Sequence, residues 1–148
     1  MIIHSEASMS NNLFELFSAV RDKVNGNDHL RYLGRYCTTE LMLQSGEQCV
    51  HLVIEHGRVL EIVKGPLHMR AWQLAMRAQP QSWNEFWQPV PAVGYQDIFA
   101  MSRFGHLVID GDIGPLLADL RYIKEVLAMP RHILDLTQVN SATTRATA

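Results

Sequence analysis

The sequence has few of the features that mark a membrane-spanning or nucleic-acid-binding protein. No apolar run approaches the roughly 18 residues that a membrane-spanning helix requires. Lys and Arg are spread thinly along the chain, and the formal net charge is -2, so the basic patch that nucleic acid attracts is missing. We therefore expect no integral membrane span and no nucleic-acid partner.

Cysteine usage and the N-terminus bear on the cellular compartment. Only two cysteines are present, Cys37 and Cys49, and we predict that they lie on separate strands as buried free thiols rather than as a disulfide. The start of the chain, Met1-Ile2-Ile3-His4, lacks a basic residue followed by a long apolar stretch. We expect a soluble, cytoplasmic protein.

Length and composition fit one globular domain. The chain has 148 residues, of which 47% are hydrophobic and 19% charged, and one hydrophobic core is the norm at this size. The final residues are Ser, Thr, Ala and a single Arg, with nothing large and apolar to bury. We predict one domain over residues 1–140 and a flexible tail over 141–148.

The first half of the chain predicts a helix followed by a three-stranded antiparallel meander. Apolar residues recur at helical spacing between an N-terminal cap at Asn12 and a stop at Gly26. After this helix the sequence pattern changes to short runs typical of β-strands, separated by glycine-containing turns. The predicted strands are Tyr36–Leu43, Gln48–Glu55 and Arg58–Val63.

The second half of the sequence predicts fewer strands and several helices. We expect a fourth strand within Met69–Met76 that enters a helix, then two short helices across the aromatic region, then a strand over His106–Asp110. A last helix begins at Asp112 and ends at Pro130. The order is that of an α+β sandwich with one layer of sheet and one of helices.

The segment from Trp72 to Phe104 is rich in aromatic residues and methionine and holds all three tryptophans. One interpretation is a helix layer packed on the sheet. The other is a lined cavity, because large rings and methionine adapt to apolar ligands. Both interpretations remain open from the sequence.

Histidine and acidic residues are the candidates for catalysis or metal binding. The seven histidines are scattered, with no HExxH or CxxC spacing, so we expect no metal and no cofactor. His106 and Asp110 would share one face of a strand, where they could form an acid–base pair. The favoured alternative is that Asp110-Gly111-Asp112 is a strand-to-helix turn in which Asp112 caps the helix.

Over residues 48–127 the sequence resembles the sterol carrier protein 2 family. The resemblance rests on the segments HLVIEHGRVLEIVKG, RAWQLAMRAQPQSWNEFW and YQDIFAMSRFGHLVIDGDIGPLLADLRYI. It implies a single mixed or antiparallel five-stranded sheet covered by helices and enclosing an apolar cavity, with no obligatory cofactor. The residues then expected at the ligand are Trp72, Met76, Trp83, Phe86, Trp87, Tyr95, Phe99, Phe104, Leu116 and Leu120.

The leading hypothesis is a module that binds or carries a fatty-acyl, sterol, isoprenoid or polyketide-like molecule. Two alternatives stay open. One is a small cofactor-independent cyclase or isomerase that uses His106 and Asp110 in the same cavity. The other is an accessory domain that presents the ligand to a partner enzyme, and a homodimer is also considered.

Overall fold

The structure, a computed structural model, describes residues 12–65 and 70–146, with the side chains of the last helix described as far as Leu134. Predictions for residues 1–11, for Met69 and for residues 147–148 lie outside this range. The elements are α1 (Leu13–Asn25), α2 (Asp28–Leu33), β1 (Thr39–Ser45), β2 (Gln48–Glu55), β3 (Arg58–Gly65), β4 (Leu74–Ala78), α3 (Pro80–Phe86), α4 (Ile98–Arg103), β5 (Val108–Gly111), α5 (Ile113–Ala118) and α6 (Leu120–Ala146).

The five strands form one mixed sheet in the order β3-β2-β1-β4-β5. The meander β1-β2-β3 is antiparallel, as predicted, whereas β4 pairs in parallel with the central strand β1 and carries β5 antiparallel on its other side. Because side chains alternate along each strand, Leu41 and Leu43 of β1 face the helices while Met42 faces the other way. The predicted α+β class with a five-stranded sheet is confirmed.

Helix α1 packs the apolar stripe that the sequence predicts against the sheet. Its buried residues recur at helical spacing, and the Asn12 side chain accepts a hydrogen bond from the Glu15 backbone N–H. At the other end the Asn25 side chain exchanges two hydrogen bonds of 2.9 Å with the backbone of Val59. These bonds tie α1 to the edge strand β3 and satisfy backbone groups that an edge otherwise leaves unpaired.

The turn between β2 and β3 is held against helix α2. His56 and Gly57 both have positive φ, as a tight two-residue hairpin turn requires. A side chain at Gly57 would meet the carbonyl oxygen of Arg31 at 2.7 Å, so the backbones approach too closely for any other residue. The Tyr122 hydroxyl donates a 2.8 Å hydrogen bond to the Gly57 carbonyl and links this turn to α6.

Several local features of the structure differ from the predictions or were absent from them. Cys37 lies before β1 rather than on a strand. The short helix α2 was not predicted, because it buries only Leu30 and so shows no apolar periodicity. The last helix is two helices, α5 and α6, separated at Asp119.

Pro130 does not end α6, contrary to the prediction. Proline removes one backbone donor and favours a helix end or kink, but apolar side chains on both sides of Pro130 contact the core, including Leu127 before it and Ile133 after it. Packing on both sides of Pro130 therefore keeps the chain helical beyond it. The backbone of α6 is helical to Ala146, while the domain boundary at residue 140 and the mobility of the tail stay predictions.

No helix in the described part of the chain is long and apolar enough to span a membrane.

The contact between Gly34 and Tyr122 gives a test of this packing. We expect Gly34→Ala to destabilise the fold by about 1–3 kcal/mol, because the new methyl group would lie 2.5 Å from the buried Tyr122 ring. Gly26→Ala is the matched control, since Gly26 also ends a helix with negative φ but would place its methyl group 3.3 Å from a carbonyl oxygen. Equal losses in urea denaturation would contradict this account.

Candidate site between the aromatic layer and the last helix

An aromatic layer lies between the sheet and helix α6. Trp83 of α3 and Trp87, the C-cap residue of that helix, stack with ring centroids 5.3 Å apart. Phe86 meets Trp83 edge-on at 6.1 Å, and Phe17 of α1 contacts Trp87 at 6.0 Å. The rings of Trp83, Phe86 and Trp87 are almost wholly buried.

Both indole N–H groups of this layer are satisfied by backbone carbonyls of other elements. Trp83 Nε1 donates to the Gln44 carbonyl at 2.9 Å, and Trp87 Nε1 donates to the Leu127 carbonyl at 2.9 Å. An unpaired buried donor is costly, so these bonds fix the orientation of the rings. They join α3 to the end of β1 on one side and to α6 on the other.

A cleft of about 330 Å³ lies in front of this layer, between α3, the start of α4 and one face of α6. Its apolar floor consists of Phe86, Ile98 and Ala128. Its rim is polar and is formed by Gln96, Asp97, Lys124, Glu125 and Arg131. Ligand pockets commonly have about 300–1,000 Å³ and combine an apolar lining with a few polar groups.

Each charged group of the rim has a partner, and that of Glu125 is Arg121, which lies outside the rim. Lys124 Nζ lies 2.9 Å from an Asp97 carboxylate oxygen, and Asp97 also accepts a hydrogen bond from the Phe99 backbone N–H at the start of α4. Arg131 donates through Nε and Nη2 to the Phe86 carbonyl and lies over the Phe86 ring. Burial lowers the pKa of the Arg131 guanidinium, yet an arginine remains charged at neutral pH.

Most of the predicted ligand residues belong to the main core, and Phe86 is the one among them that lines the cleft. Trp83, Phe86, Trp87, Met76 and Leu116 are buried in the main core, and Tyr95, Phe99 and Leu120 pack against it from partly exposed positions.

Two predicted ligand residues lie apart from this group. Trp72 packs against Met42, Cys49 and Ala75 on the opposite face of the sheet, and Phe104 is 58% exposed.

His106 and Asp110 have separate partners. The His106 ring stacks on Tyr95 with centroids 4.4 Å apart, and its Nδ1 lies 3.5 Å from the Tyr95 hydroxyl. Asp110 forms an ion pair with Arg77 of the neighbouring strand β4. Asp112 accepts a hydrogen bond from the Gly114 backbone N–H at the start of α5, as the capping interpretation predicts.

Sequence reasoning missed the residues that α6 contributes to the cleft. Lys124, Ala128 and Arg131 lie at spacings of four and three, which places them on one helix face. The signal was obscured because Arg131 follows Pro130, where the helix was predicted to end.

The second face of the sheet buries a histidine. His51 is 2% exposed, and its Nδ1 lies 3.5 Å from Oε2 of Glu40, while Arg70 binds the other carboxylate oxygen, Oε1, at 2.7 Å. Burial lowers the pKa of His51 and the Glu40 charge opposes that shift. A separation of 3.5 Å is too long for a strong hydrogen bond, which is consistent with burial being the larger effect.

The two thiols are free and buried, as predicted. Burial, reinforced by the neighbouring Asp119 carboxylate, raises the pKa of Cys37 to about 12. Burial also raises the pKa of Cys49. Since the thiolate is the reactive form, neither cysteine is suited to act as a nucleophile at neutral pH.

Within residues 12–65 and 70–146, no group of three or more His, Cys, Asp or Glu is arranged to hold a metal ion.

The sequence matches no family model and no curated protein, but the fold has counterparts among solved structures. The crystal structure of sterol carrier protein 2 superposes with a TM-score of 0.64 at 19% identity, covering 81% of this chain and 98% of that one. The chain has the sterol carrier protein 2 fold. The resemblance predicted from the sequence is therefore confirmed in the architecture.

Two further structures share the sterol carrier fold with this chain. A conserved hypothetical protein from Thermus thermophilus has a TM-score of 0.59 at 14% identity, covering 80% of this chain and 90% of its own. UbiJ-SCP2, a ubiquinone synthesis protein, has a TM-score of 0.53 at 12% identity, covering 76% of this chain and 90% of its own.

The buried histidine predicts a pH dependence of stability. Unfolded histidine titrates near pH 6.5, and the folded state resists that proton because the pKa of His51 is lowered. The unfolded state then binds more protons, so stability is lost as the pH falls below about 6.5. We expect His51→Gln to remove this part of the loss in urea denaturation between about pH 7.5 and pH 5.

His29→Gln is the control for this test, because His29 is exposed. It should leave the pH dependence of the wild type unchanged. If His51→Gln and the wild type lose stability equally on acidification, the burial account of His51 is wrong.

Proposed function

We propose that the protein binds an apolar small molecule of the fatty-acyl, sterol, isoprenoid or polyketide-like class, and that the ligand enters through the cleft at Phe86. The observation that supports this most is the position of the cleft. It has an apolar floor and a charged rim, and the Phe86 ring of that floor contacts Trp83 edge-on at 6.1 Å. A long apolar chain would displace this ring and extend into the aromatic layer.

The binding energy can come from apolar burial alone. Burying about ten methylene groups at roughly 0.8 kcal/mol each contributes on the order of 8 kcal/mol before ordering costs. That corresponds to roughly micromolar affinity. A polar end group would remain at the rim, where Lys124 and Arg131 could contact it.

The names of the structural neighbours also support an apolar ligand. One is a sterol carrier protein and another is a ubiquinone synthesis protein, and sterols and ubiquinone are both apolar. The likeness to them lies in the fold, so the ligand class proposed here rests on the cleft and the aromatic layer. A homodimer or a partner enzyme that receives the ligand stays a prediction.

Filling the cleft should block binding. We expect Ala128→Trp to weaken binding of a long-chain fluorescent fatty acid by at least about tenfold, since the indole would occupy the floor beside Phe86. Ala128→Leu should give a smaller loss of the same kind. In a Trp72→Phe variant without an added tryptophan, intrinsic fluorescence would report from the aromatic layer alone, because Trp72 lies on the other face of the sheet.

Three variants away from the cleft floor control this experiment. Leu117→Trp adds the same side chain at an exposed position of α5. His106→Asn and Asp110→Asn should leave the affinity within about threefold, because neither residue lines the cleft. Unchanged affinity in Ala128→Trp would refute the proposed entry site, and turnover of a bound compound that both polar replacements abolish would favour the enzyme alternative.

A further inference from the structure

Two exposed tyrosines hold an arginine between them at the end of α2. The guanidinium carbon of Arg35 lies 4.1 Å from the centre of the Tyr32 ring and 4.7 Å from the centre of the Tyr36 ring. Tyr32 is 62% exposed and Tyr36 is 79% exposed, so the fold leaves most of both side chains uncovered. We call these three residues the Tyr–Arg cluster.

The backbone that carries the Tyr–Arg cluster is held by the turn between β2 and β3. His56 Nδ1 lies 3.2 Å from the Arg35 carbonyl oxygen, and the Gly57 backbone N–H donates to the Cys37 carbonyl at 3.2 Å. The Cys37 backbone N–H donates in turn to the Gly34 carbonyl at 2.7 Å. Because this backbone is already ordered, a partner that binds here has less conformational freedom to remove.

The stacking leaves one side of the Arg35 guanidinium free. Nη1 donates to the Tyr32 carbonyl at 2.8 Å, whereas Nε and Nη2 have no acceptor within the described part of the chain. Nε and Nη2 are also the nitrogens with which Arg70 binds the Glu40 carboxylate, at 3.1 and 2.7 Å from Oε1. The free side of Arg35 therefore has the donors that a carboxylate requires.

The charges around the Tyr–Arg cluster favour an anionic partner. Among residues 12–65 and 70–146, no carboxylate pairs with Arg35. The acidic residues next to it in sequence or across the turn are matched by other cations, since Asp28 pairs with Arg31 and Glu55 stands opposite Arg58 in the hairpin. Arg35 thus leaves a local positive charge on a chain whose net charge is -2.

We infer that the Tyr–Arg cluster binds an acidic segment of a partner protein, with an Asp or Glu carboxylate of that segment on Nε and Nη2 of Arg35. Tyrosine and arginine are the residues that most often dominate the energy of protein interfaces, and the arginine fork binds a carboxylate through two parallel hydrogen bonds. Nucleic acid fits less well, because its affinity comes from many phosphate contacts and the cluster offers a single arginine.

The test is fluorescence anisotropy of the full chain with a set of labelled peptides. Each peptide carries two Glu residues at a varied spacing around a Leu, and each has a counterpart with Gln in place of Glu. We expect acidic peptides to bind at least about tenfold more tightly than their Gln counterparts. Arg35→Gln should remove most of this preference, and added salt should reduce it in the wild type.

Arg103→Gln is the matched control, because Arg103 is exposed at the end of α4 and the charge change is the same. It should bind the acidic peptides within about twofold of the wild type. Arg35→Lys should still lose at least about threefold, because an ammonium group keeps the charge but cannot form the paired hydrogen bonds. Tyr36→Ala should also lose at least about threefold, since it removes a ring beside the bound segment.

Thermal unfolding of every variant checks that the fold is intact, and exposed positions should change it little. The inference is overturned if no acidic peptide binds better than its Gln counterpart, or if Arg103→Gln loses as much affinity as Arg35→Gln. Binding of single-stranded DNA or of anionic vesicles in place of peptide, lost in Arg35→Gln, would assign the cluster to another kind of partner. Self-association that Tyr36→Ala abolishes, without peptide binding, would assign it to a second copy of the chain.

This inference can fail or succeed independently of the proposed function. Arg35→Gln should bind a fluorescent fatty acid with the affinity of the wild type, because Arg35 does not line the cleft. Ala128→Trp should lose the fatty acid and keep the acidic peptides.

Discussion

Two hydrogen bonds from indole groups set the spacing between the layers of this protein. Trp83 binds the backbone at the end of β1, and Trp87, one helical turn later, binds the backbone of α6. Helix α3 is therefore fixed between the sheet and the last helix. The rings that make these bonds also form the apolar layer into which we propose that the ligand extends. We propose entry beside Phe86, because this ring lines the cleft and makes neither of the two bonds.

The sheet imposes a second constraint, since both of its faces carry buried residues. The helix-covered face holds the main core, while the other face buries Met42, Cys49 and Ala75 beside His51. Charged residues surround this second cluster, with Arg70 on Glu40 and Arg77 on Asp110. Charged residues therefore border this second face. Trp72 packs on it, away from the cleft, so the aromatic segment contributes side chains to both faces of the sheet.

Much of the fold could be predicted from the sequence because its elements are periodic and clearly bounded. The Asn12 cap, the stripe of α1 and the glycine turns of the meander are local signals, and the structure confirms them. Features set by distant contacts could not be predicted. The continuation of α6 through Pro130 depends on packing on both sides of it, and the cleft depends on Arg131 reaching the Phe86 carbonyl of another helix. Helix α2 is short and has too few buried residues for its sequence to show apolar residues at helical spacing.

The central claim, that the protein holds an apolar small molecule, is tested most directly by native mass spectrometry of the purified chain, followed by solvent extraction of whatever is bound. The account predicts a one-to-one adduct that organic solvent releases as an apolar compound, and the same chain should take up a fatty-acyl, sterol or isoprenoid compound from lipid vesicles. A spectrum of the bare chain alone, both as purified and after incubation with vesicles containing each of these classes, would contradict the account.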